Sequence, residues 1–183
     1  MSAIAVIIRL ICAVNEAAGR LFSWCALAIV LICFAVVLLR YVFGLSYVWM
    51  QDLYVWLNGA MFTAVAGFAL LRDKHVRVDI FYRHRSERQR ALADLVGATV
   101  FLMPFALVIV IYALPFVAQS WQVLETSSNI GGLPGLFVLK SFILVFAVLL
   151  GLQGLAMVLR SVLVLGCRSD LVPSDIRYAE GSR

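Results

Sequence analysis

Two histidines, ten carboxylates and four cysteines are the side chains on which chemistry could rest, and their spacing assembles no familiar reaction centre. His75 and His84 stand nine residues apart on a basic stretch, with no cysteine beside them and no HExxH spacing. A metal site needs more convergent ligands than that. The chain has no GxGxxG, no Walker loop and no GxSxG elbow, so nucleotide binding and acyl transfer lack a starting residue. No pair of carboxylates sits in an apolar setting that would tune one as an acid and the other as a base. Cys12, Cys25, Cys33 and Cys167 form no CxxC pair, which removes the main support for a membrane thiol oxidoreductase. Neither catalysis nor a cofactor is expected.

The elements that must carry these residues are apolar runs bounded by charge. Leu21 to Leu39, Leu53 to Leu71, Leu95 to Ala118 and Ser141 to Leu159 each hold at least 19 residues, with no Asp, Glu, Lys, Arg or His inside. As a helix rising ~1.5 Å per residue, each crosses a hydrocarbon core of about 30 Å. With 64% hydrophobic and 14% charged residues, the composition excludes an ordinary soluble fold. The expected fold is all-α: an integral membrane protein with four transmembrane helices. Residues 1–165 form a single transmembrane domain and 166–183 a short tail. Ions and charged solutes need polar or ionisable partners at membrane depth, so a chain without them is not expected to form a pathway alone.

Orientation follows from the basic residues. Of the 15 Lys and Arg, Arg40 and Lys140 fall on one side of the four runs and the other 13 on the opposite side. The positive-inside bias places both termini in the cytoplasm. Arg83, Arg85, Arg88 and Arg90, in the loop between the second and third spans, are candidate contacts to anionic lipid headgroups. Nucleic acid is not expected, since no stacking aromatics accompany the charge. Arg9 interrupts the first apolar stretch and no distinct small-residue cleavage site follows, so span one is expected to remain as an anchor.

At 100° per residue, Ser2, Arg9, Glu16 and Arg20 share one side of an N-terminal helix, with Ile4, Ile7, Ile11, Val14 and Ala18 opposite. This pattern suits an amphipathic helix lying in the interface, which is the expectation carried forward. A cytoplasmic extension of a tilted span one is the other arrangement that fits.

The connections carry the remaining signals. The aromatic stretch from Arg40 to Asp52, with Trp49 near its end, suits an interfacial belt or a partner surface. Asp52 begins span two, where a helix N-terminus favours negative charge. Ser86 and Gln89 are spaced as a capping box at the start of the third helix, with Asp94 still near that start. Pro104 and Pro115 each remove a helix hydrogen bond from span three and favour a kink. Between spans three and four, Gly131, Gly132, Pro134 and Gly135 mark turns. Lys140 reads as a snorkelling lysine. Asn58 and Gln153, the most polar groups inside the spans, are candidates for interhelical hydrogen bonds.

Two stretches resemble the small membrane subunit of tripartite ATP-independent periplasmic (TRAP) transporters, the DctQ-like family. The first, WMQDLYVWLNGAMFTAVAGFALLRDKHVRVDIFY from Trp49 to Tyr82, has Gln51-Asp52, then Gly59-Ala60 and Gly67, then His75-Val-Arg-Val-Asp79. The second, SWQVLETSSNIGGLPGLFVLK from Ser120 to Lys140, is similar to a subgroup with Glu, Ser, Asn, Gly-Gly-Leu-Pro and Lys between spans three and four. The resemblance implies a bacterial inner-membrane location and an accessory role in sodium-coupled import of an organic acid. The implied partners are a large multi-span subunit, against which this chain packs, and a periplasmic substrate-binding protein that it helps to dock. Trp49, Gln51, Asp52, His75, Arg77, Asp79, Glu125 and Lys140 become candidate subunit or partner contacts. A self-sufficient homo-oligomeric transporter or channel is the competing reading. Small exporters of that kind rely on a membrane-embedded carboxylate, which these spans lack.

Overall fold

The computed structural model describes residues 3–72, 85–168, 171–173 and 176. The described residues form helices and connections with no strand, and four helical stretches are long and apolar enough to cross a membrane. The helices are α1 (Ala3–Val42), α2 (Val48–Leu71), α3 (Glu87–Val96), α4 (Met103–Gln122) and α5 (Leu136–Leu165). A π-helical segment, Gly97–Leu102, joins α3 to α4, so these form one continuous 36-residue rod, Glu87–Gln122.

Local chemistry explains the boundaries. The expected capping box opens α3: Gln89 N–H donates to Ser86 Oγ at 3.4 Å, and Ser86 N–H donates to Gln89 Oε1 at 3.3 Å. Pro104 lacks an N–H, and its ring crowds the carbonyl four residues back. The chain accommodates this by widening into the π segment immediately before it, and α4 starts with that proline in its first turn. At the end of α4, Leu124 adopts a left-handed conformation (φ 46°), Leu124 N–H bonds Trp121 O and Glu125 N–H bonds Ser120 O. This paired closure satisfies the last carbonyls and folds Glu125 back over the helix end. Cys167, with φ 56°, closes α5 in the same way.

Small residues set the packing. Ala60, Ala64 and Gly67 line the buried edge of α2, Ala106 and Ala113 that of α4, and Ala147, Gly154 and Ala156 lie within α5. Such residues let helix backbones approach closely where no hydrophobic driving force separates protein from lipid. Helix α5 touches every other helix, with α2 and α4 against it and α1 chiefly against α2.

Of the two arrangements open for the N-terminal residues, the structure has the continuous extension of span one and not a separate interfacial helix. From Ala3 they run without a break into span one, because no proline or turn sequence between residues 3 and 39 ends the helix. The face they bury is Ala5, Ile8, Ile11, Asn15 and Gly19, whereas Ile7 and Val14 of the expected apolar stripe are 44% and 49% exposed. Packing has turned the helix so that Asn15 faces inward. Ile8 enters a cluster with Ala91, Leu163, Val164, Val172 and Ile176, so the described part of the tail packs back onto the helix bundle.

Candidate functional site

At the end of the molecule formed by the α1–α2 and α4–α5 connections, two acidic side chains organise the loops. Helix α2 begins at Val48, which puts Asp52 in its second turn, past the first-turn amides that would explain an acid at a helix start. Asp52 instead holds the α4–α5 loop. Its Oδ1 accepts from Asn129 Nδ2 at 2.8 Å, and its Oδ2 from Leu133 N–H at 3.1 Å. The Ser127 hydroxyl donates to the same carboxylate. Gly132 is required for this approach, because a Cβ there would overlap both Asp52 Oδ2 and Ser127 Oγ. The partners of Asp52 lie 77 and 81 residues away in sequence, beyond the reach of local pattern.

Glu125 and Lys140 meet at the base of the same loop. Lys140 Nζ donates to Glu125 Oε2 at 2.5 Å, and Ser120 Oγ donates to that oxygen at 2.6 Å. The ammonium also stands 4.2 Å from the centre of the Phe116 ring. Lys140 is therefore not the snorkelling lysine expected from its position, because an acid and an aromatic face lie within reach of its stem. The Lys140 ammonium and the Ser120 hydroxyl hold the Glu125 carboxyl below its ordinary value, against the opposing effect of burial. A depressed carboxylate contributes stability above its unfolded pKa and loses it as pH falls through the folded one. Thermal melts of the wild type and of Glu125→Gln should therefore differ at neutral pH and converge below about pH 4.5. A constant gap across that range would contradict the pairing.

The rest of this edge is aromatic. Trp121 Nε1–H donates to Ser141 Oγ at 2.9 Å, and its ring lies 4.5 Å from that of Phe137, clamping α4 to the start of α5. Trp49 is exposed, with Tyr47 at 6.3 Å, and Gln51 reaches Ser46 Oγ at 3.5 Å. The candidate contacts Asp52, Glu125 and Lys140 are thus brought to one end of the molecule, while Trp49 and Gln51 occupy its rim.

At the opposite, basic end, Arg160 of α5 and Asp94 of α3 form a buried pair at 2.6 Å, each side chain less than a tenth exposed. Arg160 Nη1 also donates to Ile176 O at 3.2 Å, tying the tail to α5. Nearby Glu16 accepts from Arg20 at 2.7 Å and Arg72 at 2.5 Å. Between the ends, Asn15 Nδ2 donates to Gln153 Oε1 at 3.1 Å and to Ile11 O at 3.3 Å, so Gln153 fills the interhelical role expected of it. Asn58 does not: it is exposed on α2 and its side chain bonds no other described residue.

Of the headgroup candidates, Arg85 and Arg88 are exposed, and Arg90 Nε donates to Arg85 O at 2.9 Å. His75, Arg77, Asp79 and Arg83 lie outside the described residues. The pairing of Asp94 with Arg160, and Asn15 as the partner of Gln153, are not evident from the sequence. The one signal for the first was a pair of opposite charges bordering different spans at the same membrane edge, and Gln153 and Arg160 are seven residues apart, on one face of α5.

Among the described residues, no three His, Cys, Asp or Glu side chains converge as metal ligands. Glu16 with Arg20 and Arg72, Glu125 with Lys140, and Asp94 with Arg160 pair toward the two ends of the molecule, an arrangement suited to a framework that holds its own loops still. A family model described as tripartite ATP-independent periplasmic transporters, DctQ component, matches residues 29–164. No curated protein and no solved structure matches the chain. The family match runs from the second half of α1 almost to the end of α5 and covers well over half the chain, which places four membrane-spanning stretches and their connections in one known context: the chain belongs to the DctQ component family of TRAP transporters, as the small membrane subunit of such a system.

Proposed function

We propose that this subunit is the accessory, non-catalytic part of a sodium-coupled importer of an organic acid in a bacterial inner membrane. It packs beside the large multi-span subunit, which carries the substrate pathway, and helps dock the periplasmic binding protein. The observation that carries this reading is the absence of any ionisable side chain within the four apolar runs, where sodium or an anion would need a partner. A transport domain that moves through a bilayer needs a fixed counterpart, and an uncharged helical slab enlarges one.

Both termini and the basic end face the cytoplasm in this reading. The opposite end then faces the periplasm, where Ile130 is 98% exposed at the tip of a loop that Asp52 holds through Asn129 and Leu133. An apolar residue on a pre-ordered loop suits docking, since less ordering entropy is lost on contact. Trp49, His75, Arg77 and Asp79 are assigned to contacts with the partner subunits, and the arginines from Arg83 to Arg90 to lipid headgroups. Co-expression with a neighbouring large subunit and affinity capture tests the assignment. Stoichiometric capture of the large subunit is expected, and a chain that purifies only with itself would contradict it.

A further inference from the structure

Asn58 is the polar group that the fold leaves without a use. On α2, Asp52 and Arg72 bracket nineteen residues and stand about 30 Å apart along the helix, which matches the hydrocarbon thickness. Asn58 is six residues beyond Asp52, roughly 9 Å inside that boundary by the same rise. Its side chain is too short to reach the headgroups. The other carboxamide within the apolar runs, Gln153, is buried and hydrogen-bonded to Asn15. Asn58 is exposed and its side-chain amide has no hydrogen-bond partner among the described residues. In lipid an amide without a partner is costly, so a surface that carries one at this depth is built to meet protein.

Its surroundings describe that surface. Val55 and Phe62, three residues before and four after, share its face and are 55% and 76% exposed. Phe62 is also the lip of an apolar groove of about 640 Å³, whose walls include Ala66 of α2, Phe105 of α4 and Phe146 of α5. Asn58 therefore heads a ridge that descends into a cleft between helices, a shape that receives another helix. We propose that this face of α2 seats a transmembrane helix of the large subunit, and that Asn58 hydrogen-bonds to a polar group of that helix at membrane depth. The proposal rests on the accessory reading and adds to it a place of contact and the group that fixes its register.

The test uses the co-expressed complex. A photo-crosslinking amino acid is placed at Val55 or Phe62, and for comparison at Leu107, which is 60% exposed on α4 and does not line the groove. The expected result is a covalent adduct with the large subunit from Val55 and Phe62 and none from Leu107. Asn58→Leu, which replaces a lipid-exposed amide with an apolar side chain and should leave folding intact, is expected to weaken the association roughly 3- to 30-fold, the range for one interhelical hydrogen bond. Asn58→Gln should recover part of it. If the complex forms normally but adducts arise only with lipid, with a second copy of the chain or from Leu107, the assignment of this face is overturned and the accessory reading stands. Unchanged association of Asn58→Leu overturns the role of the amide. Failure of the two chains to co-purify at all sinks both.

Discussion

Asp94→Ala is expected to cost about 3–5 kcal/mol of stability, because it leaves the Arg160 guanidinium buried beside an empty position. The two charges meet at 2.6 Å, 66 residues apart in sequence, and each is less than a tenth exposed, so water cannot replace the lost carboxylate. In a chain of this size that corresponds to a fall in melting temperature of roughly 6 to 20 °C in detergent. Removing both charges should behave differently. Asp94→Leu combined with Arg160→Met discards the desolvation cost together with the attraction, and apolar replacements of buried pairs are often neutral. The double variant should regain most of the loss, short of such further bonds as the one from Arg160 to Ile176 O. If the single and double variants melt together, the pair does not carry the strength assigned to it.

Gly67→Ala is the second large effect. A Cβ at Gly67 would overlap Asn15 Oδ1 and come within 3.1 Å of Leu149 O, at the point where α1, α2 and α5 meet. Neither neighbour moves cheaply: Asn15 is fully buried and bonded to Gln153, and Leu149 presents backbone. Overfilling a packed contact of this kind costs typically about 1–3 kcal/mol. Shortening the opposing side chain should relieve it, so Gly67→Ala with Asn15→Ala is expected to cost less than the sum of the two single changes. Additive losses would show that the glycine is not needed for this approach.

The two sites also mark the limit of what the sequence makes legible. Helix content and the four spans follow from local pattern, since an apolar run of 19 residues or more between charges has few other solutions in a bilayer. The capping box at Ser86 and Gln89 is visible for the same reason, its partners being three residues apart. Asp94 and Arg160, Asp52 and Asn129, and Asn15 and Gln153 are not visible, because periodicity tells which residues share a face and not which faces meet. Lys140 shows the difference most clearly. Its position at the start of a span suggests a side chain reaching outward, but the left-handed turn at Leu124 returns the chain and delivers Glu125 to it. The N-terminal helix illustrates the converse. Its apolar stripe is real, yet the buried face is set by the close fit of Asn15 against Gly67 and of Gly19 against Phe68, which no hydrophobic pattern contains.

This DctQ-family subunit is proposed to support transport without conducting it. Sodium-driven uptake in proteoliposomes tests this most directly, with the binding protein supplied outside and the large subunit included or omitted. The account predicts uptake of an organic acid when both membrane subunits are present and none when this chain is reconstituted without the large subunit. Sodium-dependent uptake by the purified chain alone would contradict it.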